Sequence, residues 1–220
     1  PIDSLYSMPF RLKKEITIDF GEHLTGYFSF SVRSTGLAAD GPLRFKLTFG
    51  EVPSEVAVPF DSYRESLSRA WLQDEVVSVM YVPQTVTLSR RLAFRYVKIE
   101  LLGSSPYYDF NIHDMKCMAQ TSAKNIPEEL PQAVDPMIRK IDRVGLNTLK
   151  ECMQTVYEDG PKRDQRLWIG DLYLEALGNN YSYKQHDLTK RCLYLLAGLS
   201  DLNGYLLATV IENPVPRAQD

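Results

Sequence analysis

Acidic and basic side chains are concentrated in one short segment of the chain, from Glu158 to Asp171. The segment holds three aspartates, two arginines, a lysine and a tryptophan, and Gly160-Pro161 interrupts it near its start. Carboxylates at this density between apolar stretches are costly unless they face solvent, pair with cations or take part in chemistry. The residue types therefore indicate either a charged loop with internal Asp–Arg pairing or a site that binds and transforms a ligand.

Carbohydrate is the ligand class that these residue types favour, because a tryptophan ring stacks on sugar faces while carboxylates bind hydroxyls. Glycoside hydrolysis needs a protonated carboxyl to donate to the leaving oxygen and a second carboxylate on the opposite face of the sugar. Asp159, Asp164 and Asp171 are the candidates for the donor and for binding. We expect Arg163 and Arg166 to pair with Asp159 or Asp171 and hold them ionised, which leaves Asp164 to keep its proton.

Other kinds of site have little support in the sequence. Histidines and cysteines are few and scattered, without a paired spacing: His23, His113, His186, Cys117, Cys152 and Cys192. Neither a metal site nor a disulfide framework is expected, and nucleotide-binding or nucleophile-elbow motifs are missing. The net charge of -3 argues against nucleic acid and anionic membranes as partners, and no apolar run is long enough to span a bilayer. We expect no cofactor and a carbohydrate partner, with the oligomeric state open.

The chain begins with Pro1 and shows no basic or apolar leader in its first residues, so no signal peptide is expected in the given sequence. The compartment stays open: periplasmic or secreted if a leader has been removed, and cytoplasmic otherwise.

The first half of the chain has the alternating pattern of β-strands. Leu43, Phe45, Leu47 and Phe49 recur with a period of two. Similar short runs end in turn-forming Gly, Pro or Asp residues: 16–20, 28–32, 76–82, 93–101 and 110–118. About six strands so connected predict an antiparallel β-sandwich over residues 1–122, in which residues 21–26 form a turn.

The second half, residues 123–220, has helical spacing. Pro127 and Pro131 mark a linker, after which Asp135 is the predicted N-cap and Pro136 the first helical residue. Apolar residues then recur at three- and four-residue intervals to about Tyr157, which predicts one buried stripe: Met137, Ile141, Val144, Thr148, Cys152 and Val156. A second helix is predicted from Asp171 to Leu177 and a third behind Asp187, with an extended loop from Gly204.

The acidic segment resembles the signature of bacterial α-L-rhamnosidases, glycoside hydrolase family 78. That family shows D-C-P-x-R-E-x-R-x-W-x-G-D, and residues 159–171 read D-G-P-K-R-D-Q-R-L-W-I-G-D in the same register. Residues 16–27 look like the family's "I-x-D-F-G-Q-N-x-x-G" strand, residues 43–51 its "L-R-x-x-x-x-E" strand, and residues 94–97 its "F-R-Y-V" strand. The resemblance covers nearly the whole chain.

The resemblance implies a β-sandwich followed by the opening helices of an (α/α)6 catalytic barrel, and an inverting rhamnosidase activity. It places Asp164 at the general acid, Asp159 and Asp171 at sugar-binding carboxylates, Arg163 beside them and Trp168 at the aromatic wall of the sugar pocket. Asp164 stands where the family has Glu, and Gly160 where it has Cys.

The length of the second half also bears on function. Twelve helices of about 12 residues, with connections of about 5, need roughly 200 residues, so residues 123–220 are expected to form part of a barrel. The family's general base is a glutamate expected beyond Asp220. The missing base and the Asp-for-Glu change leave a second hypothesis, a noncatalytic carbohydrate-binding or structural module derived from such an enzyme.

Overall fold

The computed structural model describes residues 5–59, 64, 66 and 68–219 of the chain. The chain divides into two compact units, Pro1–Ala119 and Gln120–Asp220. Among the described residues, no helix combines the length and the apolar composition that crossing a lipid bilayer requires.

Unit 1 is built mainly of strands. Its elements in chain order are α1 (Phe10–Lys13), β1 (Glu15–Thr35), β2 (Leu43–Gly50), α2 (Pro53–Ala57), a 3₁₀ turn (Arg69–Trp71), β3 (Asp74–Val79), β4 (Gln84–Thr87), β5 (Leu92–Gly103) and β6 (Asp109–Ala119). The prediction of an antiparallel β unit is confirmed, since every strand pairing in it is antiparallel.

All six strands belong to one hydrogen-bonded sheet, ordered β3-β2-β5-β1-β4, with β6 also paired to β1. The 21-residue strand β1 makes this possible. Its first half pairs with β5, and its second half pairs with β4 and β6. The division of these strands into two layers of a sandwich remains a prediction.

The predicted turn at residues 21–26 is wrong, because the chain continues there as part of β1. Pairing with β5 shifts register between Asp19 and Leu24. Gly21 has a φ of 85°, a left-handed conformation that glycine adopts without steric cost. The glycine therefore produces an irregularity within one strand, as in a β-bulge. The sequence had suggested a turn that reverses the chain direction.

Aromatic rings fill the core of unit 1. Seven phenylalanines among the described residues are at most 2% exposed: Phe10, Phe28, Phe30, Phe45, Phe49, Phe94 and Phe110. Phe28 lies at the centre, with its ring centroid 5.3–6.2 Å from four other rings. Most of these contacts are edge-to-face, the geometry that the aromatic quadrupole favours.

Strands β1 and β6 approach each other closely at Gly26. A Cβ added at Gly26 would lie 2.8 Å from Cα of Ala119 and closer still to the carbonyl oxygen of Met118. We expect Gly26→Ala to lower the free energy of unfolding by about 1–3 kcal/mol, because paired backbone must move apart. Urea unfolding would measure the loss. Gly103→Ala is the control, since its added Cβ meets nothing within 4 Å, and equal losses in the two variants would contradict the expectation.

Unit 2 is mostly helical. Its elements are α3 (Pro136–Cys152), β7 (Leu167–Trp168), α4 (Ile169–Tyr181), α5 (His186–Gly198), β8 (Thr209–Ile211) and β9 (Arg217–Gln219). The expectation of helices without strands is wrong in one respect, because β7, β8 and β9 form a small antiparallel sheet. The described residues supply three helices here, and their place in an (α/α)6 barrel remains a prediction.

Helix α3 begins as predicted, with the Asp135 side chain accepting a hydrogen bond from the backbone N–H of Met137 at 2.7 Å. It ends at Cys152, five residues earlier than expected. The stripe predicted to be buried is exposed over its first part, with Met137, Ile141 and Val144 each about 60% exposed.

Candidate active site

The chain reverses direction immediately after α3. Met153 and Tyr157 form an antiparallel bridge, and the backbone N–H of Glu158 donates to the carbonyl oxygen of Cys152 at 2.9 Å. Tyr157 is fully buried, and its hydroxyl lies 3.0 Å from that of Thr189 on α5. This packed turn fixes the point at which the acidic segment starts.

The segment then forms a closed loop between Asp159 and Arg166. The Asp159 backbone N–H donates to the Arg166 carbonyl oxygen at 3.0 Å, and the Arg166 backbone N–H donates to Asp159 Oδ1 at 3.2 Å. Inside the loop, Gln165 donates from its backbone to Gly160 and from its side chain to the Pro161 carbonyl. The loop is therefore held by hydrogen bonds within itself, from its backbone and from the side chains of Asp159 and Gln165.

Two successive residues in this loop have left-handed backbone conformations, Asp164 with a φ of 62° and Gln165 with a φ of 52°. Such angles are uncommon outside glycine, although Asp and Asn tolerate them better than most residues. The residue at the predicted general-acid position thus has a backbone constraint that an aspartate meets more readily than a glutamate.

The segment leaves the loop through β7 and enters α4. Leu167 and Trp168 pair with Val210 and Thr209 of β8. Helix α4 begins at Ile169, two residues before the predicted start, so Asp171 lies in its first turn. A carboxylate in the first turn is stabilised by the unpaired N–H groups and the helix dipole.

Five carboxyl groups converge on this region and are called the acid cluster below: Glu158, Asp159, Asp164, Asp171 and Glu175. Asp159 interacts electrostatically with Asp164 and Asp171. The structure therefore brings together the three aspartates that the sequence singled out.

Burial raises the pKa of Asp159 above its ordinary value, and the like charges of Asp164 and Asp171 add to the rise. Hydrogen bonds from the backbone of Arg166 and Gly160 act in the opposite direction. Asp159 is thus a carboxyl whose proton is retained more strongly than in water.

Glu175 belongs to the acid cluster but was missed in the sequence. Its signal was available, because it follows Asp171 by four residues on α4 and so lies on the same helix face. Burial and the charge of Asp171 raise its pKa to about 8. A carboxyl so placed is mostly protonated at neutral pH.

The expected ion pairs of the two arginines are not present among the described residues. Arg166 contacts Asp159 through its backbone N–H, and Arg163 is exposed. A backbone donor satisfies the carboxylate without the entropy cost of fixing a long side chain. The charged-loop hypothesis and the expectation that arginine pairing leaves Asp164 its proton both relied on these ion pairs, so both lose that support.

Trp168 is partly buried, and its Nε1 atom is shielded from solvent without a hydrogen-bond partner among the described residues. A buried indole N–H usually finds a partner, so this unpaired donor is an exception. The described residues contain no group of three or more His, Cys, Asp or Glu side chains arranged to hold a metal ion.

A cavity of unit 2 lies beside the predicted site. It has a volume of about 970 Å³ and runs between α3, α4 and the linker before α3. Glu175 and Cys152 line it, whereas the five residues predicted from the sequence do not. Electrostatics and loop geometry therefore favour the acid cluster as the candidate site, and Glu175 is the member of the cluster that also lines the cavity.

Two family models match the chain. Residues 1–119 match the glycosyl hydrolase family 78 alpha-rhamnosidase N-terminal domain. Residues 132–218 match the bacterial alpha-L-rhamnosidase 6 hairpin glycosidase domain. A comparison with curated proteins returns no match.

Solved structures give a consistent result. A rhamnosidase from Klebsiella oxytoca with rhamnose bound is 40% identical, with a TM-score of 0.92 over 99% of this chain and 42% of that chain. Two others share the fold. A family 78 rhamnosidase of Bacillus sp. GL1 is 22% identical, with a TM-score of 0.66 over 84% of this chain and 18% of that chain. An alpha-L-rhamnosidase from Dictyoglumus thermophilum is 18% identical, with a TM-score of 0.68 over 89% of this chain and 21% of that chain. The chain thus spans less than half the length of these proteins.

Proposed function

This chain belongs to glycosyl hydrolase family 78, and from that membership we propose that it forms part of an inverting α-L-rhamnosidase-like enzyme. The proposed substrates are glycans or glycosides that end in α-L-rhamnose or a related sugar. The solved relatives of this chain are rhamnosidases, and the Klebsiella oxytoca protein has rhamnose bound.

The observation that carries the proposal is the convergence of three signature carboxyls, two from the loop between Asp159 and Arg166 and one from the first turn of α4. Asp159 interacts electrostatically with Asp164 and Asp171, although Asp171 lies 12 positions further along the chain. The loop's hydrogen bonds use its backbone and the side chains of Asp159 and Gln165, which leaves the side chain of Asp164 available to a ligand.

In the proposed mechanism, Asp164 donates a proton to the glycosidic oxygen as the bond to the anomeric carbon breaks. A water molecule attacks that carbon from the opposite face and passes its proton to a general base, so the configuration inverts. The base is not assigned to a residue of this chain. Asp159 and Asp171 accept hydrogen bonds from sugar hydroxyls, with Arg163 beside them. Trp168 packs against the sugar ring.

A noncatalytic carbohydrate-binding module is the second candidate, and the Asp-for-Glu change favours it. The side chain of Asp164 is one methylene shorter than glutamate, so its carboxyl reaches less far from the backbone. The left-handed backbone at Asp164 redirects the side chain, which offers a way for an aspartate to serve as the donor.

The test is hydrolysis of a panel of p-nitrophenyl glycosides by the full-length protein. We expect the α-L-rhamnoside to be cleaved fastest, and nuclear magnetic resonance to show β-L-rhamnose as the first product. Binding of rhamnose without turnover would support the module, and α-L-rhamnose as the first product would contradict inversion. A protein that neither binds nor cleaves any member of the panel would refute both functions.

A further inference from the structure

Glu175 is a carboxyl of the acid cluster to which the proposed mechanism gives no role. It lies one turn after Asp171 on α4, so both side chains leave the same face of the helix. Its Oε2 atom is shielded from solvent and has no hydrogen-bond partner among the described residues. An ionised carboxylate in that position would be expensive, because a buried charge needs a compensating partner.

The groups around Glu175 come from every element packed against it. Asp171 approaches along α4, Glu158 and Asp159 from the turn after α3, and the Cys152 thiol from α3. Glu175 also acts on Tyr157 and on Cys192 of α5.

The charged groups that act most strongly on Glu175 are all carboxylates: Asp171, Asp159 and Glu158. The two thiols stay neutral, since burial raises the pKa of Cys152 to about 12 and that of Cys192 to about 11. Lys184 lines the same cavity as Glu175.

We propose that Glu175 is a positioning residue of the acid cluster, which as a neutral carboxylic acid keeps Asp159 and Asp171 close enough together to bind a sugar. The inference rests on the proposed function, because it concerns the same site. A neutral neighbour adds no repulsion to the cluster. An ionised one would add a fourth like charge against Asp159, Asp171 and Glu158, and would displace the carboxylates that bind the hydroxyls.

The pKa of about 8 for Glu175 sets the pH range in which the effect is visible. The wild-type enzyme should lose substrate affinity above about pH 8, as Glu175 ionises. We expect its KM for the α-L-rhamnoside to rise about 10-fold between about pH 7 and about pH 9, with a smaller change in kcat. Glu175→Gln and Glu175→Leu, which are both neutral, should show no such rise.

Protonation can also be followed without activity. The folded protein keeps a proton on Glu175 up to about pH 8, whereas an unfolded glutamate releases it near 4.5. Wild-type stability should therefore fall as the pH rises through this range and then level off. The stability of Glu175→Gln relative to wild type should grow over the same range. Glu129→Gln, at an exposed glutamate of the linker, is the control and should follow the wild type.

Three results would overturn the proposal. Unfolding curves of wild type and Glu175→Gln that stay parallel would show that Glu175 is not protonated. If the pH dependence of unfolding differs between wild type and Glu175→Gln but their KM profiles are identical, Glu175 has only a structural role. A wild-type protein that neither cleaves nor binds rhamnosides would refute the proposed function, and the role of Glu175 with it. An active enzyme whose KM profile matches that of Glu175→Gln would refute the role of Glu175 alone.

Discussion

Replacing Asp164 by asparagine is expected to lower turnover of an unactivated α-L-rhamnoside by roughly 100- to 10,000-fold, the usual contribution of general acid catalysis. Asparagine has nearly the same shape and tolerates the left-handed backbone at this position, so the loop should keep its conformation. The substitution removes the transferable proton and leaves substrate affinity largely unchanged. Steady-state kinetics of the full-length enzyme would measure both quantities.

The leaving group provides the internal control for Asp164→Asn. A dinitrophenyl glycoside needs little protonation, so the loss should shrink on that substrate. Asp171→Asn should weaken binding as well as turnover, whereas Asp187→Asn, at an exposed residue in the first turn of α5, should change neither. An equal loss on activated and unactivated substrates would show that Asp164 is not the acid.

Phe28→Ala is expected to give the largest loss of stability, about 3–5 kcal/mol in the free energy of unfolding. The ring of Phe28 is fully buried and contacts four other rings, so its removal leaves a cavity that the paired strands cannot close. Urea unfolding monitored by circular dichroism would measure the change.

The matched control for Phe28→Ala is Tyr107→Ala, because Tyr107 is 74% exposed. The free energy of unfolding of Tyr107→Ala should stay within about 0.5 kcal/mol of that of the wild type. Phe28→Leu should lie between the two, since leucine fills part of the cavity. A loss at Phe28 no larger than that at Tyr107 would mean that the aromatic cluster does not hold unit 1 together.

Strands of unit 1 were predictable where one face is buried. Leu43, Phe45, Leu47 and Phe49 alternate in the sequence, and all four are at most 2% exposed in β2. The same rule failed at Gly21, because periodicity does not tell a bulge from a turn. Strands β7, β8 and β9 have two or three residues each, too few to show a period.

Helix starts in unit 2 were predictable where a side chain caps the backbone. Asp135 does so, and α3 begins beside it. Helices α4 and α5 begin without a side-chain cap, at Ile169 and His186, and both starts were placed too late. Burial of the α3 stripe was not predictable, because it depends on what packs against the helix.

The aspartates of the candidate site were predictable because they lie close together in sequence, at positions 159, 164 and 171. Glu175 was missed because the charged segment was taken to end at Asp171. The pKa of Glu175 depends on its desolvation and on its neighbours, and these exist only once α3, α4 and the turn between them have packed. A sequence shows which carboxyls are present, while the fold decides which of them keep a proton.

The sharing of β1 by three partner strands has a consequence during protein synthesis. Strand β1 ends at Thr35, but its first partner, β4, begins only at Gln84, and β5 and β6 follow later. On the ribosome, the longest strand of unit 1 must therefore wait unpaired while the partners are made, with apolar residues and open hydrogen-bonding edges that invite aggregation. Pairings this distant in sequence also fold slowly. Expression of soluble protein should thus depend strongly on temperature and on chaperones, and a chain truncated before β6 should fail to accumulate.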